Sequence, residues 1–143
     1  MSKVFEFEYC TVVGVTDGDT ILVKIDRGFN DFSHKTVRVS GIDTPEISKR
    51  HATGGLKYKR QKIKGPDNSI EAEIEHGLEA KSYLVRTWLG LGVKLTTMKP
   101  KDPRGRYHAK VEGNPATDPK RTMIDLAKDL KQHGFAKRED YAL

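Results

Sequence analysis

At 143 residues the chain matches the usual size of one folded domain and is long enough to bury a hydrophobic core without covalent staples. Its 36% apolar content argues against wholesale disorder even beside 32% charged residues, and its one cysteine, Cys10, excludes an intrachain disulfide and a cysteine-based zinc site of the usual spacing. A net charge of +6 and a pI near 9.4 favour phosphate-bearing partners over neutral ones, although charge alone fits any soluble basic domain.

The opening residues, Met1 to Cys10, carry Lys3, Glu6 and Glu8 and lack the apolar run of roughly 7–15 residues that a signal peptide needs. No stretch approaches a membrane span, so the expected setting is cytoplasmic, with no membrane partner. Apolar and β-branched residues alternate through Cys10 to Val15 and through Thr20 to Ile25. Asp17-Gly18 between them has the positive-φ chemistry of a tight hairpin turn. In this pattern Cys10 reads as a buried structural thiol rather than a nucleophile. A third strand is expected over Thr36 to Ile42, where Arg38 faces away from Val37 and Val39.

From Lys49 to Lys64 the chain holds seven basic residues and no acidic one, with Gly54-Gly55 among them. A basic surface loop over 49–67 is expected, either merely solvated or tracking phosphates through Lys57, Lys59 and Arg60. After Pro66, the capping oxygens of Asn68 and Ser69 precede Ile70, Ile74, Leu78, Leu84, Val85 and Trp88 at helical spacing. This spacing predicts a helix over about 69–89, with Trp88 on its apolar stripe and therefore in the core rather than stacked on a base.

Val93 to Met98 reads as a fourth strand and Tyr107 to Val111 as a fifth, after the turn Asp102-Pro103-Arg104-Gly105. Gly113 to Arg121 reads as a loop. Thr122 and Asp125 have the spacing of a capping box for a second helix, which Gly134 would stop. The order of elements points to an α+β, mainly β architecture: a five-stranded barrel of the oligonucleotide-binding (OB) type with two packed helices, in a single domain spanning 1–143. No coiled-coil pattern or excess apolar stripe argues against a monomer.

Asp19 ends the hairpin turn and Asp43 follows the third strand, so the two carboxylates could converge at one rim of the sheet. Hard oxygens there would suit Ca²⁺ or Mg²⁺, whereas His34, His51, His76, His108 and His133 show no zinc-ligand spacing. From the hairpin alone, the plainer reading is that Asp17 and Asp19 serve the turn. Glu46, three residues after Asp43, is a candidate general base, and Arg38, five before Asp43, carries a guanidinium fork suited to phosphate oxygens.

Taken together, VVGVTDGDTILVKI and VRVSGIDTPEI closely resemble the two signature segments of the staphylococcal nuclease (thermonuclease) family. The combination of DGDT, an arginine five residues before an aspartate, and DTPE is far more specific than any one piece. DPRGRYHAKV resembles the family's Gly-Arg entry into its fifth strand, HGLEAKSYL its central helix, and HGFAKRED the segment after its second helix. The resemblance implies a Ca²⁺-dependent nuclease, Mg²⁺ being an alternative metal, acting on DNA, with RNA an alternative or additional substrate, and with single-stranded or frayed regions favoured. Asp19, Asp43 and the backbone carbonyl of Thr44 would hold the metal, Glu46 would activate water, and Arg38 and Arg106 would stabilise the phosphoryl transition state. The products would be 3′-phosphates and 5′-hydroxyls.

Arg104 stands where the family commonly has a tyrosine before Gly-Arg, and Tyr141 alone replaces its later substrate-holding tyrosines. Both are candidate substrate contacts. The rival reading is a catalytically inactive OB-type module that binds nucleic acid without cutting it.

Overall fold

A computed structural model describes residues 4–42, 44, 70–97, 105–115 and 122–135. In chain order the elements are β1 (Phe5–Asp17), β2 (Thr20–Asp26), β3 (Phe32–Val39), α1 (Ile70–Thr87), β4 (Gly92–Thr97), β5 (Tyr107–Gly113), a two-residue β6 (Ile124–Asp125) and α2 (Leu126–Gln132). Among the described residues the sheet runs β3-β2-β1-β4-β5-β6, and a parallel β3–β5 pairing closes its first five strands into a barrel. The chain therefore has the mainly β, OB-like barrel with two helices that its element order implies.

β1 is longer than its alternating segment because it serves two neighbours. Cys10 to Asp17 pairs with β2, and Phe5 to Thr11 pairs with β4. Register shifts near Phe7, Val12 and Val15 bend it from one to the other, as bulges do in small barrels. Val12, Ile21, Val23, Val37, Val39, Val93, Leu95 and Val111 fill the interior, with Cys10 buried among them. Desolvation pushes the Cys10 thiol up to about 11, which suits a packing residue. β3 begins at Phe32, four residues before its expected start, and ends at Val39.

The first helix forms where expected, but its buried stripe differs. Leu78 and Val85 are exposed, while His76, Ala80, Leu84 and Trp88 are buried at four-residue spacing. Apolarity at helical spacing chose between two overlapping faces, and packing against the barrel settled on the one with small Ala80. Trp88 lies fully in the core, as its place on the stripe implied. Gly113 is required there: a Cβ on it would stand 2.9 Å from the indole.

The expected capping box at Thr122 does not form. Residues 124–125 pair with β5 instead, and Asp125 itself caps α2 by accepting from the Ala127 N–H at 2.9 Å. At the other end Gly134, φ +79°, closes a Schellman motif, with bonds from Gly134 N to Lys131 O and Phe135 N to Leu130 O. Among the described residues no helix is long and apolar enough to cross a membrane.

Asp129 fastens the two helices together. Nearly buried, it accepts at one oxygen from Tyr83 Oη at 2.6 Å and Trp88 Nε1 at 2.9 Å. Burial, with this carboxyl beside it, raises the Tyr83 phenol well above the usual tyrosine range. Asp129→Ala would leave the buried Trp88 N–H and the half-buried Tyr83 hydroxyl unpaired, so urea denaturation should show a loss of about 2–3 kcal/mol, with Asp129→Asn losing less.

Candidate active site

The β1–β2 turn sets the position of Asp19. Its Gly18 does not adopt the positive φ expected of it. Glycine is demanded by space instead, because a Cβ would stand 2.7 Å from Thr44 Oγ1 and 2.9 Å from Ala80 Cβ. The turn is wedged between α1 and the segment after β3, which puts the Asp19 carboxylate beside Thr44 although the two residues are 25 positions apart.

The Asp19 side chain is almost fully enclosed. Oδ2 accepts from the Thr44 N–H at 3.1 Å and lies 3.4 Å from Arg38 Nη2, while Oδ1 accepts from Thr20 Oγ1 at 3.2 Å. Burial works to raise its pKa, but the Asp17 side chain, the Arg38 guanidinium and the Thr44 N–H outweigh that and hold it below the usual carboxylate range. Asp17 takes the opposite course. Burial, and then the neighbouring Asp19, push its carboxyl up to about 7, so the pair resists giving up its last proton. Asp17, dismissed from the sequence as a turn residue, thus belongs to this cluster; the Asp-x-Asp spacing was the available signal.

Arg38 faces away from the core as its alternation implied. Its Nη1 donates to Val39 O at 2.6 Å and Ile42 O at 2.7 Å, so the guanidinium is locked in place by the end of its own strand as well as by Asp19. Arg106, just before β5, donates to Thr20 Oγ1 at 3.3 Å and joins the same cluster across the parallel β3–β5 junction. That junction also sets His108 opposite Arg38. No sequence signal marked His108, since its neighbour depends on how the barrel closes.

Asp19, Arg38, Thr44 and Arg106 are thus brought together. Asp43, Glu46, Lys57, Lys59, Arg60, Arg104 and Tyr141 lie outside the described residues. Among the described residues no group of three His, Cys, Asp or Glu forms a metal cluster. A hard divalent cation nevertheless fits the chemistry present: a buried, ionised carboxylate, and close to its turn the buried Thr44 hydroxyl oxygen, which has no hydrogen-bond partner within geometric reach among the described residues.

Two outcomes follow from the turn. Gly18→Ala should cost about 1–3 kcal/mol by overpacking, measured by chemical denaturation, because Thr44 and Ala80 cannot both retreat. The folded state keeps a proton on Asp17 to about pH 7, whereas the unfolded chain releases it near the ordinary aspartate value. In chelator, stability should therefore fall as pH rises from about 4 to 7, and Asp17→Asn should flatten that fall in pH-dependent melting.

No family model matches the chain. The chain is 28% identical over 136 residues to an uncharacterized protein of Methanocaldococcus jannaschii, an alignment that covers 92% of this chain and 59% of that protein. The chain thus spans about 59% of the length of the curated relative it matches.

Proposed function

We propose that this protein is a divalent-metal-dependent phosphodiesterase of the staphylococcal nuclease type, cleaving DNA and also RNA. The observation that carries this reading is the convergence of the enclosed Asp19 carboxylate with Arg38, Thr44 and Arg106 from four separate segments at one rim of the barrel. A turn aspartate with no further role needs neither a locked guanidinium at 3.4 Å nor a second arginine on its neighbour.

A phosphodiester is already anionic, so attack by water requires its charge to be offset and the nucleophile to be sharpened. Asp19, Asp43 and the Thr44 carbonyl would hold Ca²⁺, or Mg²⁺ in its place, and a bound cation would supply positive charge to offset that of the phosphodiester. Arg38, its rotamer fixed by two carbonyls, meets the phosphoryl oxygens without reorganising as charge develops. Arg106, held on Thr20 Oγ1, adds a second guanidinium for the phosphoryl oxygens, and one of the two arginines assists the departing 5′ oxygen. Glu46 takes the proton from the attacking water as its oxygen bonds to phosphorus, the P–O5′ bond breaks, and the departing oxygen takes up a proton from solvent, leaving a 3′-phosphate and a 5′-hydroxyl.

The measurement that tests this is degradation of heat-denatured DNA and of RNA with Ca²⁺, with Mg²⁺ and with chelator. Cleavage should require metal, fall about 10²–10⁴-fold in Glu46→Gln and about 10²–10³-fold in Arg106→Ala. Ca²⁺ should also raise the melting temperature of the wild type but not of Asp19→Asn. Binding without cleavage under all these conditions overturns the reading and leaves a nucleic-acid-binding OB module.

A further inference from the structure

The outward face of the β2–β3 hairpin continues away from the Asp19 cluster to the hairpin tip. Its cross-strand pairs are Thr20 with Arg38, Leu22 with Thr36, Lys24 with His34, and Asp26 with Phe32, all on the side opposite Ile21, Val23 and Val37. At about 3.3 Å per residue, Phe32 lies about 20 Å along the strand from Arg38. That length suits the shorter single-stranded site sizes of OB folds, about 4 nucleotides and upward.

The tip is built unusually. Gly28, Phe29 and Asn30 have φ of +82°, +56° and +56°, so a bulky aromatic residue sits in the left-handed region that normally admits glycine or asparagine. The same Phe29 is fully exposed, and Phe32 is 44% exposed with Lys24 Nζ 4.2 Å from its ring centroid. Packing against the core cannot be what retains a strained, solvent-facing phenyl ring. Within the turn, Asp26 Oδ1 accepts from the Gly28 N–H at 2.9 Å and Asp31 pairs with Arg27 at 3.0 Å, while Glu6 and Glu8 of β1 flank the Asp26 side. What remains presented is aromatic surface beside Lys24 and His34, in line with Arg38.

We propose that this hairpin face is a subsite for unpaired single-stranded nucleic acid, with bases stacking on Phe32 and Phe29 and Lys24 meeting a phosphate on the Arg38 side of Phe32. It deepens the phosphodiesterase reading, on which it rests for the position of the scissile bond, by placing a stacking platform about 20 Å from that bond. Exposed rings are sequence-tolerant partners, because every base has a π-face.

Binding of a fluorescent dodecathymidylate in chelator, by anisotropy across a salt series, tests it. Phe32→Ala should weaken binding about tenfold at every salt concentration without changing the slope of log K against log salt, and Phe32→Tyr should restore it. Lys24→Ala should instead reduce the slope by about 0.7, one single-strand phosphate contact. Phe29→Asn should weaken binding while keeping or raising the melting temperature, since asparagine tolerates that backbone. Wild-type affinity in both phenylalanine variants, or equal losses for a matched duplex, overturns the platform. Cleavage by the wild type without phenylalanine-dependent binding overturns the platform and supports the catalytic reading. Phenylalanine-dependent binding without cleavage supports the platform and overturns the catalytic one.

Discussion

A five-stranded sheet this small would expose two edges of unpaired N–H and C=O groups, and the protein removes them by joining β3 to β5. Three registered pairs, Val37 with Tyr107, Arg38 with His108 and Val39 with Ala109, make that parallel seam, and the Ser40 N–H extends it to Ala109 O at 2.8 Å. Everything at the proposed site depends on it. The seam brings Arg106 within reach of Thr20, and the bond from Val39 N to Asp19 O, 2.8 Å, ties the seam to the turn.

Around that closure, polar groups are arranged to hold geometry rather than to add net stability. Arg38 spends donors on Val39 O and Ile42 O, and Asp19 collects Arg38, Thr20 and the Thr44 N–H. Enclosing a carboxylate and a guanidinium costs solvation that their attraction offsets only with good additional bonds. The result is a fixed arrangement of charge, the property an electrostatic catalyst needs. The Asp129 network does a comparable job between the helices, fixing α2 against α1 through Tyr83 and Trp88.

The hairpin tip follows a different logic. Most of its backbone bonds are local, such as Arg27 N to Asp31 O and Asp31 N to Gly28 O, so it can carry an unfavourable Phe29 conformation without disturbing the barrel. Strain placed on an exposed turn costs little cooperativity, and it leaves aromatic surface where a flexible ligand can find it.

By itself the sequence determined the elements that follow from period and turn chemistry: the alternation of β2, the helix ending near Trp88, the Gly134 stop, and the outward side of Arg38. It also held the motif pieces DGDT, Arg38 and Gly-Arg, because residue identity and spacing survive in one dimension. Tertiary structure decided what depends on neighbours distant in the chain. Gly18 is glycine because Thr44 and Ala80 crowd it, not because the turn needs a positive φ. The buried face of α1 follows Ala80 and Leu84 rather than Leu78 and Val85, because the barrel surface accepts only one of two adjacent apolar faces. Asp17 joins Asp19 in a proton-retaining pair, and His108 stands opposite Arg38, only once the turn is buried and the β3–β5 seam is formed. Local propensity reads the strand and helix, but burial and register are properties of the closed barrel.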